Sequence, residues 1–267
     1  MSRAACLNKC ALQSSANEKE DNQLTALIPE ANKQREAEIQ KAYETLQEDI
    51  RQSAVRAGRP ADSVRLIAVT KNFGTADIDA ILALGHTELG ENRVQEMNSK
   101  IDYYTERNQL YSWHMIGTLQ RNKVRQIVGR VAMIHSVDSL PLLKEIEKRS
   151  AEAACVTEVL LQVNISLEES KHGFTSAEIA PLLQKRDKFP HIRFRGLMTM
   201  APHYDDPEQT RPIFRAARLL QEKLSTDLNL PDFDQLSMGM TNDYHQAIEE
   251  GSTMLRVGSA IFGSRYQ

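Results

Sequence analysis

Arg65-Leu66-Ile67-Ala68-Val69-Thr70-Lys71-Asn72-Phe73-Gly74 is the stretch that decides the architecture of this chain. Leu66 to Val69 is a short aliphatic run with polar residues on both flanks, the pattern of a strand buried on both faces in a parallel sheet. An open doubly wound sheet calls for a glycine-rich turn after its first strand, and Lys71-Asn72-Phe73-Gly74 is not such a turn. Seven further runs of the same kind follow: Thr87 to Gly90, Ser112 to Gly117, Ala132 to Val137, Val159 to Ile165, Phe194 to Thr199, Gln235 to Met238 and Met254 to Val257. Between them lie one-sided helical stripes such as Val94/Met97/Ile101, Val124/Ile127/Val128, Leu142/Leu143/Ile146 and Phe214/Ala217/Leu220/Leu224. Eight strand–helix units in one chain predict a single-domain (β/α)8 TIM barrel. Ser139 before Pro141, Ser176, and Thr241-Asn242 are placed to cap helices, and Gly85 and Gly251 to stop them.

Upstream, Ile39, Ala42, Leu46, Ile50 and Ala54 recur at helical spacing, which predicts an extra N-terminal helix from Asn32 to Ala57, closed by Gly58 and Pro60. Residues 1–30 are polar and aperiodic, with the run Glu18-Lys19-Glu20-Asp21, and read as a flexible extension ahead of a barrel over residues 31–267.

The formal net charge of -3 in 267 residues offers no general attraction for nucleic acid or anionic membranes, so a small-molecule site is expected. No run reaches the roughly 18 apolar residues that span a bilayer. Cys6, Cys10 and Cys155 make neither an even disulfide set nor, with the histidines, a metal-ligand pattern, so no metal and a reduced, cytoplasmic setting are expected.

A barrel of this type binds ligands at the carboxyl ends of its strands and holds phosphate with the loops after strands seven and eight. Lys71 ends the first strand, where an ammonium at the mouth of an apolar core becomes an amine nucleophile when it loses its proton. Ser237-Met238-Gly239-Met240-Thr241 and Gly258-Ser259 follow the last two strands and have the small residues of an anion nest. An amine for an aldehyde together with a phosphate nest points to pyridoxal 5'-phosphate (PLP). Arg256, between Leu255 and Val257, alternates toward the bore. Facing a pyridine ring, its donors would require an unprotonated ring nitrogen, which disfavours carbanion chemistry. Asn92, at the end of the second strand, can donate to a ring oxygen, and Met200 can pack on the cofactor. Each has a plainer reading: a solvated cap for Lys71, a tight turn for Ser237 and Gly239, an outward arginine, a helix cap for Asn92. His114 beside Trp113 reads first as a hydrogen-bonded core histidine, and Lys171-His172-Gly173 as a solvated loop.

Ala68-Val69-Thr70-Lys71, Gly90-Glu91-Asn92-Arg93-Val94-Gln95-Glu96, Trp113-His114-Met115-Ile116-Gly117-Thr118-Leu119-Gln120-Arg121-Asn122-Lys123, Arg195-Gly196-Leu197-Met198-Thr199-Met200, Leu236-Ser237-Met238-Gly239-Met240-Thr241 and the segment from Gly251 to Gly263 resemble the YggS/PROSC-like pyridoxal phosphate homeostasis proteins, from about residue 35 onward. The family's lysine is followed by a Pro-containing turn, where this chain has Asn72-Phe73-Gly74. The resemblance implies the barrel of alanine racemase without its β-domain, an internal aldimine on Lys71, phosphate contacts at Ser237, Gly258 and Ser259, and a ring nitrogen opposite Arg256. It also implies a PLP carrier and regulator of vitamin B6 rather than an enzyme; a monomer is expected, with PLP-dependent apoenzymes as candidate receivers. Two rivals remain: a racemase-type PLP enzyme using His114 or Tyr244 as a second proton-transfer group, and a cofactor-free lysine-dependent aldolase.

Overall fold

The computed structural model describes residues 32–166 and 172–263. The extension over residues 1–30 and Lys171 lie outside the described residues. The first half runs α1 (residues 32–56), β1 (Arg65–Val69), α2 (Thr75–Leu82), β2 (Glu88–Glu91), α3 (Val94–Thr105), β3 (Ser112–Met115), β4 (Met133–Val137) and α4 (Leu140–Glu152). The second runs β5 (Thr157–Gln162), α5 (Ser176–Leu183), β6 (Ile192–Met198), α6 (Arg211–Asp227), β7 (Gln235–Ser237), α7 (Tyr244–Glu249), β8 (Met254–Val257) and α8 (Ser259–Phe262). All neighbouring strands are parallel, and β8 pairs with β1 through Ile67 and Arg256, closing an eight-stranded barrel.

Each apolar run became a strand, with ends that differ where the ladder continues through polar residues. Thr157 and Glu158 pair with Ile192 and Arg193, so β5 and β6 both begin before the apolar runs that mark them. The Val124 stripe folds as a 3-10 turn over Arg121–Gln126 and not as an α-helix, though Val124, Ile127 and Val128 are all buried. Two caps are corrected. Thr175, and not Ser176, caps α5, through a reciprocal capping box with Glu178. Asp243, and not Thr241-Asn242, precedes α7.

Two apolar layers hold the barrel. The larger fills the space between strands and helices: Leu66, Ala68, Leu89 and Leu255 on the outer strand faces meet Ile78, Ile81, Met97 and Phe214 from the helices. Full burial of such side chains contributes roughly 1.5–3 kcal/mol each. The smaller lies in the bore, where Ile67, Met133, Leu160, Met198 and Met254 form a plug. α1 packs its stripe of Ile39, Tyr43, Leu46, Ile50 and Ala54 against the same outer core. It is tied to the barrel by Arg35, which bonds to Asp77 and to the carbonyl of Phe262. Gly85 and Gly251 stop α2 and α7 at positive φ of 83° and 96°.

Candidate functional site

At the carboxyl ends of the strands opens a cavity of about 560 Å³, within the roughly 300–1,000 Å³ usual for small-molecule sites. Its wall draws on loops after β1, β2, β3, β6, β7 and β8. Lys71, Asn92, Met200, Arg256, Gly258 and Ser259, six of the eight residues expected there, line it together.

Lys71 occupies the turn directly after β1. Its neighbours are clamped by a buried ionic cluster. Lys100 of α3 donates to the carbonyl of Thr70 (2.8 Å), to Glu91 Oε1 (2.5 Å) and to Glu96 Oε1 (2.9 Å), which uses all three donors of its ammonium. Thr70 Oγ1 donates to Glu91 Oε1 (2.6 Å), and the Asn72 N–H donates to Glu96 Oε1 (2.5 Å). Burial pushes the Glu91 carboxyl up, against the opposing pull of Lys100. Asn72 sits at φ 65°, a left-handed conformation that asparagine tolerates, and the turn delivers Phe73 to the cavity wall. The lysine is thus presented from a turn fixed on both sides.

Arg256 is buried in the floor. Its Nη1 donates to Ser237 Oγ (2.6 Å) and its Nη2 to the carbonyl of Thr199 (3.1 Å). Burial holds the guanidinium down to about 10, partly offset by the charge of Asp243. Asp243, itself pushed up by burial, lines the cavity and accepts from the Met240 N–H (2.6 Å).

Ser237 and Gly239 are not on the cavity wall. The Ser237 hydroxyl lies beneath the floor, bonded to Arg256 and to His135 Nδ1 (2.9 Å). Gly239, at φ 95°, has no room for a Cβ: one would stand 2.6 Å from Ala247 Cβ, and its carbonyl accepts the Arg256 N–H (3.0 Å). Both act on the strand carrying Arg256. The nest-facing hydroxyl of that segment is Thr241, which lines the cavity and receives a hydrogen bond from Ser259 Oγ (2.9 Å), joining the loops after β7 and β8. Thr241 was within the segment singled out from sequence; what distinguishes it from Ser237 is that β7 ends at Ser237, leaving Thr241 in the loop.

His114 and Tyr244 also lie off the wall. His114 is inside the bore against Glu88 and His135, and the Tyr244 hydroxyl donates to Asp49 of α1. His203 and Tyr204, in the loop after β6, do line the cavity, and no sequence pattern marks them. His172 contributes its carbonyl to Gln162 Nε2. Among the described residues no cluster of metal ligands occurs and no helix is long and apolar enough to cross a membrane.

An amine, a buried guanidinium, and a rim of Thr241, Gly258 and Ser259 facing one cavity are a donor set suited to a small aldehyde carrying a phosphate. Comparison with known proteins agrees. The alanine racemase N-terminal domain family matches residues 42–266. A pyridoxal phosphate homeostasis protein from Aquifex aeolicus is 38% identical over 218 residues, covering 82% of this chain and 94% of its own. One from Vibrio alginolyticus is 36% identical over 232 residues, covering 85% and 97%. The structure of PipY from Synechococcus elongatus with PLP bound superposes with a TM-score of 0.70 at 34% identity, covering 80% of this chain and 98% of that one.

Proposed function

Since the chain belongs to the pyridoxal phosphate homeostasis proteins of the alanine racemase N-terminal domain family, we propose that it binds PLP in this cavity and serves intracellular vitamin B6 homeostasis as a carrier. PLP, when bound, supplies an aldehyde that condenses reversibly with amines. In this reading Lys71 presents the amine to that aldehyde. Arg256 donates to the ring nitrogen and, as a pure donor, keeps it unprotonated. Gly258, Ser259 and Thr241 receive the phosphate, while Asn92 and Met200 border the ring. Ser237 and Gly239 serve the cofactor through Arg256. The single observation that carries the proposal is that Lys71, Arg256, Gly258 and Ser259 line one cavity.

The ring partner biases the site toward holding and releasing the cofactor over deprotonating amino acids, because an unprotonated ring is a poorer sink for carbanion electrons. The positions of His114 and Tyr244, off the wall, support the same reading. We place the carrier in the cytoplasm, acting as a monomer, with the amines of PLP-dependent apoenzymes as receivers. A racemase-type enzyme is the second reading, and Tyr204 and His203 on the wall are what favour it. Exchange of the α-proton of single L-amino acids in deuterium oxide, abolished in Lys71→Ala, would establish that reading instead.

The test of PLP binding is the absorption spectrum of the purified protein after incubation with PLP, beside Lys71→Ala. The wild type should gain a visible band that borohydride abolishes as it fixes the cofactor on the peptide carrying Lys71, and the variant should not. A wild type that stays colourless, or a label elsewhere, refutes the assignment.

A further inference from the structure

We propose that Glu88, His114 and His135 are positioning residues that anchor Arg256 through one hydrogen-bond chain of a single polarity, running across the bore from the floor of the cavity to the opposite end of the barrel. Its effect on PLP rests on the function proposed above; its proton arrangement stands on the protein alone.

The links are Arg256 Nη1 to Ser237 Oγ (2.6 Å), Ser237 Oγ to His135 Nδ1 (2.9 Å), His135 Nε2 to His114 Nδ1 (2.9 Å) and His114 Nε2 to Glu88 Oε2 (2.5 Å). They join β8, β7, β4, β3 and β2. Glu88 opens β2, so the chain starts at the amino end of the strands, where Arg65 also lies, and finishes under the ligand cavity.

The ends dictate the direction. Arginine only donates, so Ser237 Oγ must accept from it; an ionised carboxylate only accepts, so His114 Nε2 must carry a proton for Glu88. Burial pushes the Glu88 carboxyl up, but the hydrogen bond from His114 and the charge of Arg65 oppose it and the carboxyl lies below its ordinary value, so it is ionised at neutral pH. With a neutral His114, its Nδ1 is an acceptor and His135 Nε2 the donor. His135 Nδ1 then accepts the Ser237 O–H. Every donor meets an acceptor.

The reverse arrangement needs one more proton. His114 would be an imidazolium, His135 would donate from Nδ1 to Ser237, and the Ser237 O–H would lose its acceptor. That places a second cation in the bore near Arg256, where His114 and His135 are almost wholly buried. Burial, with the charge of Arg256, drives the His135 pKa well down, which agrees with a neutral ring.

No carboxylate forms a direct ion pair with Arg256 among the described residues. The chain gives the guanidinium a distant counter-charge through four polarised hydrogen bonds. It also immobilises the Nη1 edge so that the cavity side stays in register with a ring acceptor.

The test is nitrogen NMR of histidine-labelled protein without PLP, at neutral pH. His114 and His135 should each show one protonated nitrogen, Nε2, and one pyridine-type nitrogen, Nδ1. Ser237→Ala should move the His135 Nδ1 signal toward that of an unbonded nitrogen, and Ser237→Thr should restore it. A proton on His135 Nδ1, or a doubly protonated His114, overturns the proposal, and the wild-type spectrum decides this even where Ser237→Ala fails to fold. In PLP titrations, Glu88→Gln, which keeps an acceptor for His114 but removes the charge that ends the chain, should weaken binding by about tenfold, the scale of the difference between a charged and a neutral hydrogen bond, with the Lys71→Ala control bound non-covalently at best. Unchanged PLP affinity in Glu88→Gln removes the positioning role. A wild type that takes up no PLP refutes the function proposed above and leaves the tautomer readout to judge the chain.

Discussion

The two flanks of the cavity are stabilised in opposite ways. On the β1–β3 side, charged groups are taken out of water to hold the backbone: Lys100, Glu91 and Glu96 fix Thr70 and Asn72 on either side of Lys71. On the β7–β8 side the work falls to close backbone packing, with Gly239 against Ala247 and Gly258 against Val69, and to one hydroxyl pair, Thr241 and Ser259. In the proposed reading, the first flank presents a reactive amine and needs a turn that cannot drift, for which a buried ion network supplies direction as well as energy. The second, proposed to meet an anion, needs backbone near the ligand, which small residues permit. The first flank should therefore fail abruptly when one charge is removed, and the second gradually as volume is added.

Lys100→Met is expected to have the largest effect. It leaves Glu91 buried without its cation, and removing one member of a buried pair costs about 3–5 kcal/mol. Urea unfolding should show that loss, and Lys100→Met combined with Glu91→Gln should recover a good part of it, because glutamine is neutral and still accepts from Thr70. If the double variant is no more stable than Lys100→Met, the flank is not held by charge pairing.

Gly258→Ala should cost less. A Cβ there would stand 2.9 Å from the Val69 carbonyl oxygen and 3.2 Å from Val69 Cβ, so β1 and β8 must part slightly, a strain of about 1–3 kcal/mol. PLP uptake should weaken in parallel, since Gly258 and Ser259 share the cavity rim. Full stability with full uptake would mean that backbone proximity does not build this flank.

The barrel and most of the residues at its mouth were legible in the sequence. Strand runs such as Leu66 to Val69 announce themselves because both faces are apolar, and the carboxyl ends of eight such runs bring Lys71, Asn92, Arg256, Gly258 and Ser259 to one mouth. What stayed hidden is direction within a short polar segment. Ser237 and Thr241 are chemically alike in sequence, yet one is the last strand residue beneath the floor and the other a loop residue on the wall. Lys100 left a signal that composition masks: it stands among Met97, Ile101 and Tyr104 on the buried face of α3, where a lysine must have partners. His203 and Tyr204 reach the cavity from a loop with no periodicity to read.

The effect that is smallest at neutral pH, and grows only on acidification, concerns the histidines beside and beneath the first flank. His135 is driven well down by burial, with Arg256 adding to it; His86 is also lowered by burial, against opposing help from Glu88. Both are neutral when folded at pH values where the unfolded chain, titrating near 6.5, binds a proton. The unfolded state then holds more protons, so stability is complete above about pH 6.5 and declines as pH falls below it, by up to ~1.4 kcal/mol per pH unit for each histidine. Urea midpoints between about pH 5 and 8 should show this acid-side slope, and His86→Asn should reduce it while leaving the bore chain in place, since His86 bonds to Tyr43 and to the Glu88 carbonyl and not to the carboxylate. A slope unaltered in His86→Asn would assign the whole acid sensitivity to the bore, and a flat wild-type profile would mean that neither ring is held neutral by the fold.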